Sequence, residues 1–97
     1  MVSMSDAGIV YVVRSGERYK LGFTRSDGRR RARDAQGELI ISIPVKQRPS
    51  VLEYILNKRF AHKRLPPQGN KPGDKREWFS FDESDLEWLR GLATFLS

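Results

Sequence analysis

The stretch "GIVYVVRSGERYKLGFT", residues 8–24, constrains the fold of this chain more than any other. Ile9 to Val13 and Arg18 to Phe23 are short runs rich in β-branched and aromatic residues, and the turn dipeptide Ser15-Gly16 lies between them. That pattern predicts a β-hairpin. With Ser15-Gly16 as a two-residue turn, Arg14 pairs with Glu17, Val13 with Arg18, Val12 with Tyr19, and Tyr11 with Lys20. Strand alternation then puts Val10, Val12, Tyr19, Leu21 and Phe23 on one apolar face. Tyr11, Lys20 and Gly22 emerge together on the other.

Directly opposed residues have Cβ atoms about 4.5–5.5 Å apart. An ammonium beside a phenol favours the phenolate and lowers the tyrosine pKa. Such a tyrosine takes a proton from water, and Gly22 leaves room for a ligand or backbone to approach. The plainer alternative is an aromatic–lysine cross-strand pair in which Lys20 runs its stem along the ring.

Downstream, Arg29 to Gln36 follows a Ser-Asp-Gly turn and is predicted as a short helix ended by Gly37. Glu38 to Lys46 holds "LIISIPV", a third strand, and Pro44 places it at a sheet edge or a strand end. Pro49-Ser50 opens a second helix running to about Lys63. Residues 65–75 concentrate Pro, Gly and Lys and are predicted as a loop. "EWFSF" is a short strand or extended segment, with Trp78, Phe79 and Phe81 as core or edge packing. Asp82 caps a last helix, and Asp85 adds negative charge where the helix dipole favours it. Leu86, Leu89, Ala93 and Leu96 recur on that helix at core spacing. The order is β-β-α-β-α-β-α. It predicts a small α+β fold with a three-stranded, mostly antiparallel sheet flanked by helices.

Ninety-seven residues suffice for a single core. The reading is a mobile tail over residues 1–7 and one domain over 8–97. With 18 Lys+Arg against 12 Asp+Glu, the net charge of +6 suits a polyanionic partner. There is no cysteine, which excludes disulfides and Cys-based zinc sites. No apolar run is long enough to span a bilayer and no signal-peptide pattern opens the chain, so the expectation is an intracellular, cytoplasmic protein without membrane contact.

On the second helix, Leu52, Ile55, Leu56 and Phe60 form the predicted apolar stripe. Glu53 stands at its edge, and Asn57 lies one turn further on the same side. A carboxylate at such a boundary is partly desolvated and suits a hard divalent cation, since Mg²⁺ often takes one or two protein carboxylates and keeps several waters. An equally good reading makes Glu53 an early-helix acid favoured by the dipole. His62, near the end of this helix, is read as a surface residue.

These residues together resemble the GIY-YIG nuclease superfamily. "IVY" (Ile9, Val10, Tyr11) is similar to its first motif, and "KLG" (Lys20, Leu21, Gly22) to its second, with Lys20 where the family has a second tyrosine. "YKLGFT" resembles the "YKIG-x-T" of a phage-associated branch. So do Glu53, Leu56, Asn57, Phe60 and the "REWF" block from Arg76 to Phe79, although Asn57 stands where that branch commonly shows His. The resemblance covers about Gly8 to Phe81.

What the resemblance implies is a DNA endonuclease domain that hydrolyses a phosphodiester with one Mg²⁺ or Mn²⁺. Glu53 is then the metal ligand, and Tyr11, assisted by Lys20, activates or positions the water. The family also carries an arginine on the helix after the second motif. Ungapped counting selects Arg30, but Arg31 is followed by Ala32 and Ala35, the small residues needed to seat that helix, so Arg31 is preferred. Arg29, Arg30 and Arg33, with Asn57, Lys71 and Lys75, are the expected nucleic-acid contacts, and Asn70 adds a polar amide in the basic loop. The partner is double-stranded or structured DNA, with a partner chain as one source of specificity. The alternatives are a DNA-binding module of the same fold without catalysis, favoured by Lys20 and Asn57, and a protein-interaction domain.

Overall fold

In the computed structural model, which describes residues 7–26, 28–66 and 78–97, β1 (Gly8–Ser15) and β2 (Arg18–Thr24) form the expected hairpin. Its turn is Gly16-Glu17 rather than Ser15-Gly16. Ser15 pairs with Arg18, Val13 with Lys20, and Tyr11 with Gly22. Gly16 takes φ 63° at the first central position of the turn, where a non-glycine residue would be strained. A turn on Ser15-Gly16 would put serine at that position instead. The correction moves each partner by two residues, an even number, so every side chain keeps its predicted face while its neighbours change.

β3 (Glu38–Val45) pairs antiparallel with β1, and β4 (Trp78–Phe79) pairs antiparallel with β2. The sheet therefore has four strands, in the order β3-β1-β2-β4, where three were predicted. The α+β class and the element order stand as read from the sequence. Pro44 lies in β3, at the sheet edge.

α1 (Arg29–Asp34) is shorter than predicted, and the left-handed residue after it is Gln36, at φ 54°, not Gly37. α2 (Pro49–Arg59) begins at Pro49 as expected but stops short of Lys63. The Phe60 amide still bonds the Leu56 carbonyl, after which the chain tightens into a 3-10 turn, Ala61–Lys63. α3 (Glu83–Leu96) starts with a capping box, Asp82 and Asp85 each accepting from the other's backbone N–H.

The helices divide between the two faces of the sheet. Val10, Val12, Tyr19, Leu21, Ile41 and Ile43 meet Leu56 of α2, Phe60 at its C-terminal cap, and Leu86 and Leu89 of α3 in the larger core. Phe79 and Phe81 stack there with centroids 5.3 Å apart, and Phe60 meets Phe81 edge-on at 4.9 Å. Tyr11 and Val13 face the other way, against Ala32 and Ala35 of α1, with Ile9, Leu39 and Trp78 packed around them. Two predicted core positions are exposed instead, Ile55 and Leu96. Ile55 lies one residue, about 100° round the helix, before buried Leu56, and Leu96 is the last residue of α3. Among the described residues, no helix is long and apolar enough to cross a membrane.

Lys63 ties α3 to the end of α2, donating to Asp82 at 2.9 Å and Asp85 at 2.6 Å. Hydrogen bonds from Ser84 and Lys63 and from the Asp85 amide hold the Asp82 carboxyl well below the usual carboxylate range. The same acids push the Lys63 ammonium up.

Two stability measurements follow from this packing. Leu89, fully buried, should cost about 2–5 kcal/mol on replacement by alanine, read by denaturant unfolding. Asp82→Ala should lower the melting temperature at neutral pH. Because the folded-state pKa of Asp82 is depressed, the difference from wild type should be full above the usual aspartate pKa and fade as pH falls through the folded value.

Candidate functional site

Tyr11 projects from the second strand of the sheet with 3% of its surface exposed. Its ring lies against the bare backbone of Gly22: a Cβ built there would fall inside the phenol, with Tyr11 Cε1 2.9 Å away. Glycine is thus required at position 22 to let the phenol lie flat on the hairpin. On the opposite side Tyr11 pairs with Ser42 of β3. Burial pushes the Tyr11 pKa up; Arg31 pulls it back, while Glu53 and Asp34 push it further up. The sequence reading had Lys20 facing Tyr11 and lowering this pKa, and both parts are corrected. Lys20 pairs with Val13 and Trp78, diagonal to Tyr11, and desolvation dominates the phenol.

Arg31 comes from α1. Ala32 and Ala35 are buried against the sheet, as the seating argument required, while Arg29, Arg30, Arg31 and Arg33 are exposed. The charge of this run that acts on Tyr11 is that of Arg31, not Arg30. Asp34 was not anticipated as part of the group. Its signal was available, since it lies three residues after Arg31 and so on the same side of the helix.

Glu53 is half-buried on α2. The Asn57 side-chain amide donates to the Glu53 carbonyl at 2.9 Å and towards the Glu53 Oε1 at 3.4 Å. Because both partners are acceptors, the amide orientation is fixed by the network. Asn57 Oδ1 is then buried with no hydrogen-bond partner among the described residues. An orphaned buried acceptor beside a carboxylate is a feature that a cation or a donor on a ligand satisfies. The available donors are hard oxygens, which suits Mg²⁺ or Mn²⁺ held largely through water. Among the described residues no three His, Cys, Asp or Glu side chains gather into a cluster.

Arg31 of α1 and Glu53 of α2 thus each act electrostatically on the phenol of Tyr11 in β1. Lys20 shares the sheet face of Tyr11 at the diagonal position. Arg18, two residues earlier on that face, lies over the Trp78 ring at 4.6 Å, a contact that alternation along β2 would have suggested. Asn70, Lys71 and Lys75 lie outside the described residues.

The chain matches the T5orf172 domain over residues 8–92. Neither the curated proteins nor the solved structures contain a match to it. With nearly the whole fold covered, the chain belongs to the T5orf172 domain family, a phage-related family whose character is that of a nuclease-like DNA-binding module.

Proposed function

We propose that this domain is a GIY-YIG-type endonuclease that binds double-stranded or structured DNA and hydrolyses a phosphodiester with a single Mg²⁺ or Mn²⁺. The observation that supports it is the shared reach of Arg31 and Glu53 on the buried Tyr11 hydroxyl. Glu53, with Asn57 Oδ1 beside it, would hold the ion, and when bound the ion supplies charge neutralisation at the scissile phosphate. Arg31 binds and neutralises the phosphate on the α1 side. The phenol is neutral at physiological pH, so Tyr11 acts first as a hydroxyl that orients the attacking water, its proton still in place. Lys20, on the same face, contacts a phosphate oxygen rather than tuning the phenol. Arg29, Arg30 and Arg33 contribute sequence-independent backbone contacts. Sequence specificity is left to DNA shape or to a partner chain, because so small a domain has little surface for reading bases.

A second reading, a DNA-binding module without hydrolysis, draws on the same phenol. A tyrosine pushed towards its neutral form by burial is a poor base, and Asn57 offers no proton shuttle.

Supercoiled plasmid incubated with the protein and Mg²⁺ or Mn²⁺ separates the two. The nuclease reading expects nicking that falls to background in Glu53→Gln and by about 10²-fold in Arg31→Ala, with plasmid binding by Glu53→Gln retained. Binding without nicking in the wild type would select the module instead.

A Tyr11 that works as a neutral hydroxyl also fixes a pH signature. Nicking should show no rising limb from Tyr11 ionisation across neutral pH, and a tenfold rise per pH unit between 7 and 9 that vanishes in Tyr11→Phe would refute that role. For stability the folded pKa is raised, so the contribution is whole below the ordinary tyrosine value of 10.0 and lost as pH climbs through the folded one. Chemical denaturation at alkaline pH should show this loss in wild type and less of it in Tyr11→Phe.

A further inference from the structure

Among the described residues, six large apolar or aromatic side chains are exposed, and all six lie on α2 or α3: Val51, Tyr54, Ile55, Trp88, Phe95 and Leu96. Both helices cover the same face of the sheet and feed one core. Their outer surfaces are joined where Phe60 meets Trp88 edge-on at 5.9 Å and the Arg59 guanidinium lies 3.9 Å above the Trp88 ring. Sealing a core asks only that the outer side of a helix be polar, yet Phe95 is 83% exposed and Tyr54 63%. Gly91 adds a second oddity. A mid-helix glycine costs stability relative to alanine, and a Cβ at Gly91 would meet nothing within 4 Å. The fold itself therefore does not call for glycine there. Its bare backbone lies beside Trp88 and Phe95, three residues before it and four after, on one side of α3.

The charges on this surface are divided. Exposed Arg48, Lys58 and Arg59 belong to α2 and its cap, whereas α3 exposes Glu87 and Glu83, the latter paired with Arg90 of the same helix at 3.5 Å. At 100° per residue, Val51, Ile55 and Lys58 share one side of α2, and Glu53 lies about 160° round the helix from Val51. The candidate site is thus left clear of this face.

We infer that the outer surface of α2 and α3 is a self-association face, on which a second copy of this chain docks about a two-fold axis. The basic apolar α2 of each copy lies against the acidic apolar α3 of the other, and Gly91 admits the closest approach. The division of charge selects this occupant. A foreign partner would need both an acidic and a basic apolar ridge at the matching separation, and a second copy already carries them in the self-complementary arrangement that a two-fold axis requires. Nucleic acid is disfavoured by Glu83, Glu87 and the apolar side chains between the cations.

Sedimentation equilibrium over a wide concentration range tests this on the purified chain, with circular dichroism to show that each variant is folded. A monomer–dimer equilibrium is expected. Ile55→Glu and Phe95→Glu should each weaken it at least about tenfold, as loss of an interface anchor does. Lys58→Glu and Glu87→Lys should each weaken it, and their combination should recover most of the loss. A wild type that is monomeric throughout overturns the proposal. So does a dimer indifferent to Ile55 and Phe95, which would point to pairing along the β3 edge. Charge variants that do not rescue one another overturn the placing of α2 on α3. Weakened DNA binding by Lys58→Glu in a protein that is always monomeric would assign the face to nucleic acid instead. Should Ile55→Glu fail to fold, Phe95→Glu decides alone, since that side chain is far out of the core.

Discussion

The contact on which the rest of the molecule turns is that of the Tyr11 phenol with the backbone of Gly22. It can form only in the hairpin register set by the Gly16-Glu17 turn, which brings position 22 opposite position 11. With the ring laid flat, the second face of the sheet is shallow enough for α1 to settle through alanines, Ala32 and Ala35, rather than through long side chains. A helix seated on alanines rides close to the sheet. That closeness brings the Arg31 charge to bear on the phenol, although the Arg31 side chain is itself exposed. One missing Cβ thus sets the depth of a face, the height of a helix and the electrostatics of a hydroxyl.

The sheet separates two tasks. Its larger core holds the aromatic stack of Phe60, Phe79 and Phe81 and the buried residues of α2 and α3, and supplies most of the apolar burial. The opposite face keeps only a small apolar cluster, enough to order Tyr11 and α1. α2 is the element that serves both. Leu56 and Phe60 anchor it in the core, while Glu53, half-buried on the same helix, acts electrostatically on a phenol of the other face. The Asn57 amide, donating back to Glu53 across one turn, restrains the carboxylate there without neutralising it.

Much of this was legible in the sequence because period-two and helical patterns depend on few residues. The faces of β1 and β2, the seating of α1 on Ala32 and Ala35, the cap at Asp82 and the core role of Phe79 all follow from local rules and stand in the structure. The hairpin register did not, because Ser15-Gly16 and Gly16-Glu17 differ only in which central position the glycine takes. The "EWFSF" strand was legible, but its place as a fourth member of the sheet was not, because Trp78–Phe79 is only two residues long and owes its strand character to the edge of β2. Ile55 was misjudged for a related reason: an apolar residue beside a buried one cannot be assigned to either side of a helix by period alone. The direction of the Tyr11 shift was missed on a different scale. Neighbouring charge can be guessed from pairing, whereas desolvation depends on the packing of strands and helix together, and here it outweighs the cation.

The distribution of acids completes the electrostatic picture. A net charge of +6 would be a weak handle if carboxylates were interspersed among the α1 arginines. Instead Asp82, Glu83, Asp85 and Glu87 are concentrated at the start of α3, on the other side of the sheet. There Asp82 and Asp85 satisfy backbone donors and hold Lys63, and Glu83 and Asp85 in the first turn complement the helix dipole. Acids engaged in this way stabilise the fold without cancelling the charge of the α1 arginines, with which Asp34 shares the helix. Under the proposed function, the α1 arginines would draw a polyanion to the face that carries Tyr11, and the acids of α3 would favour that face over their own.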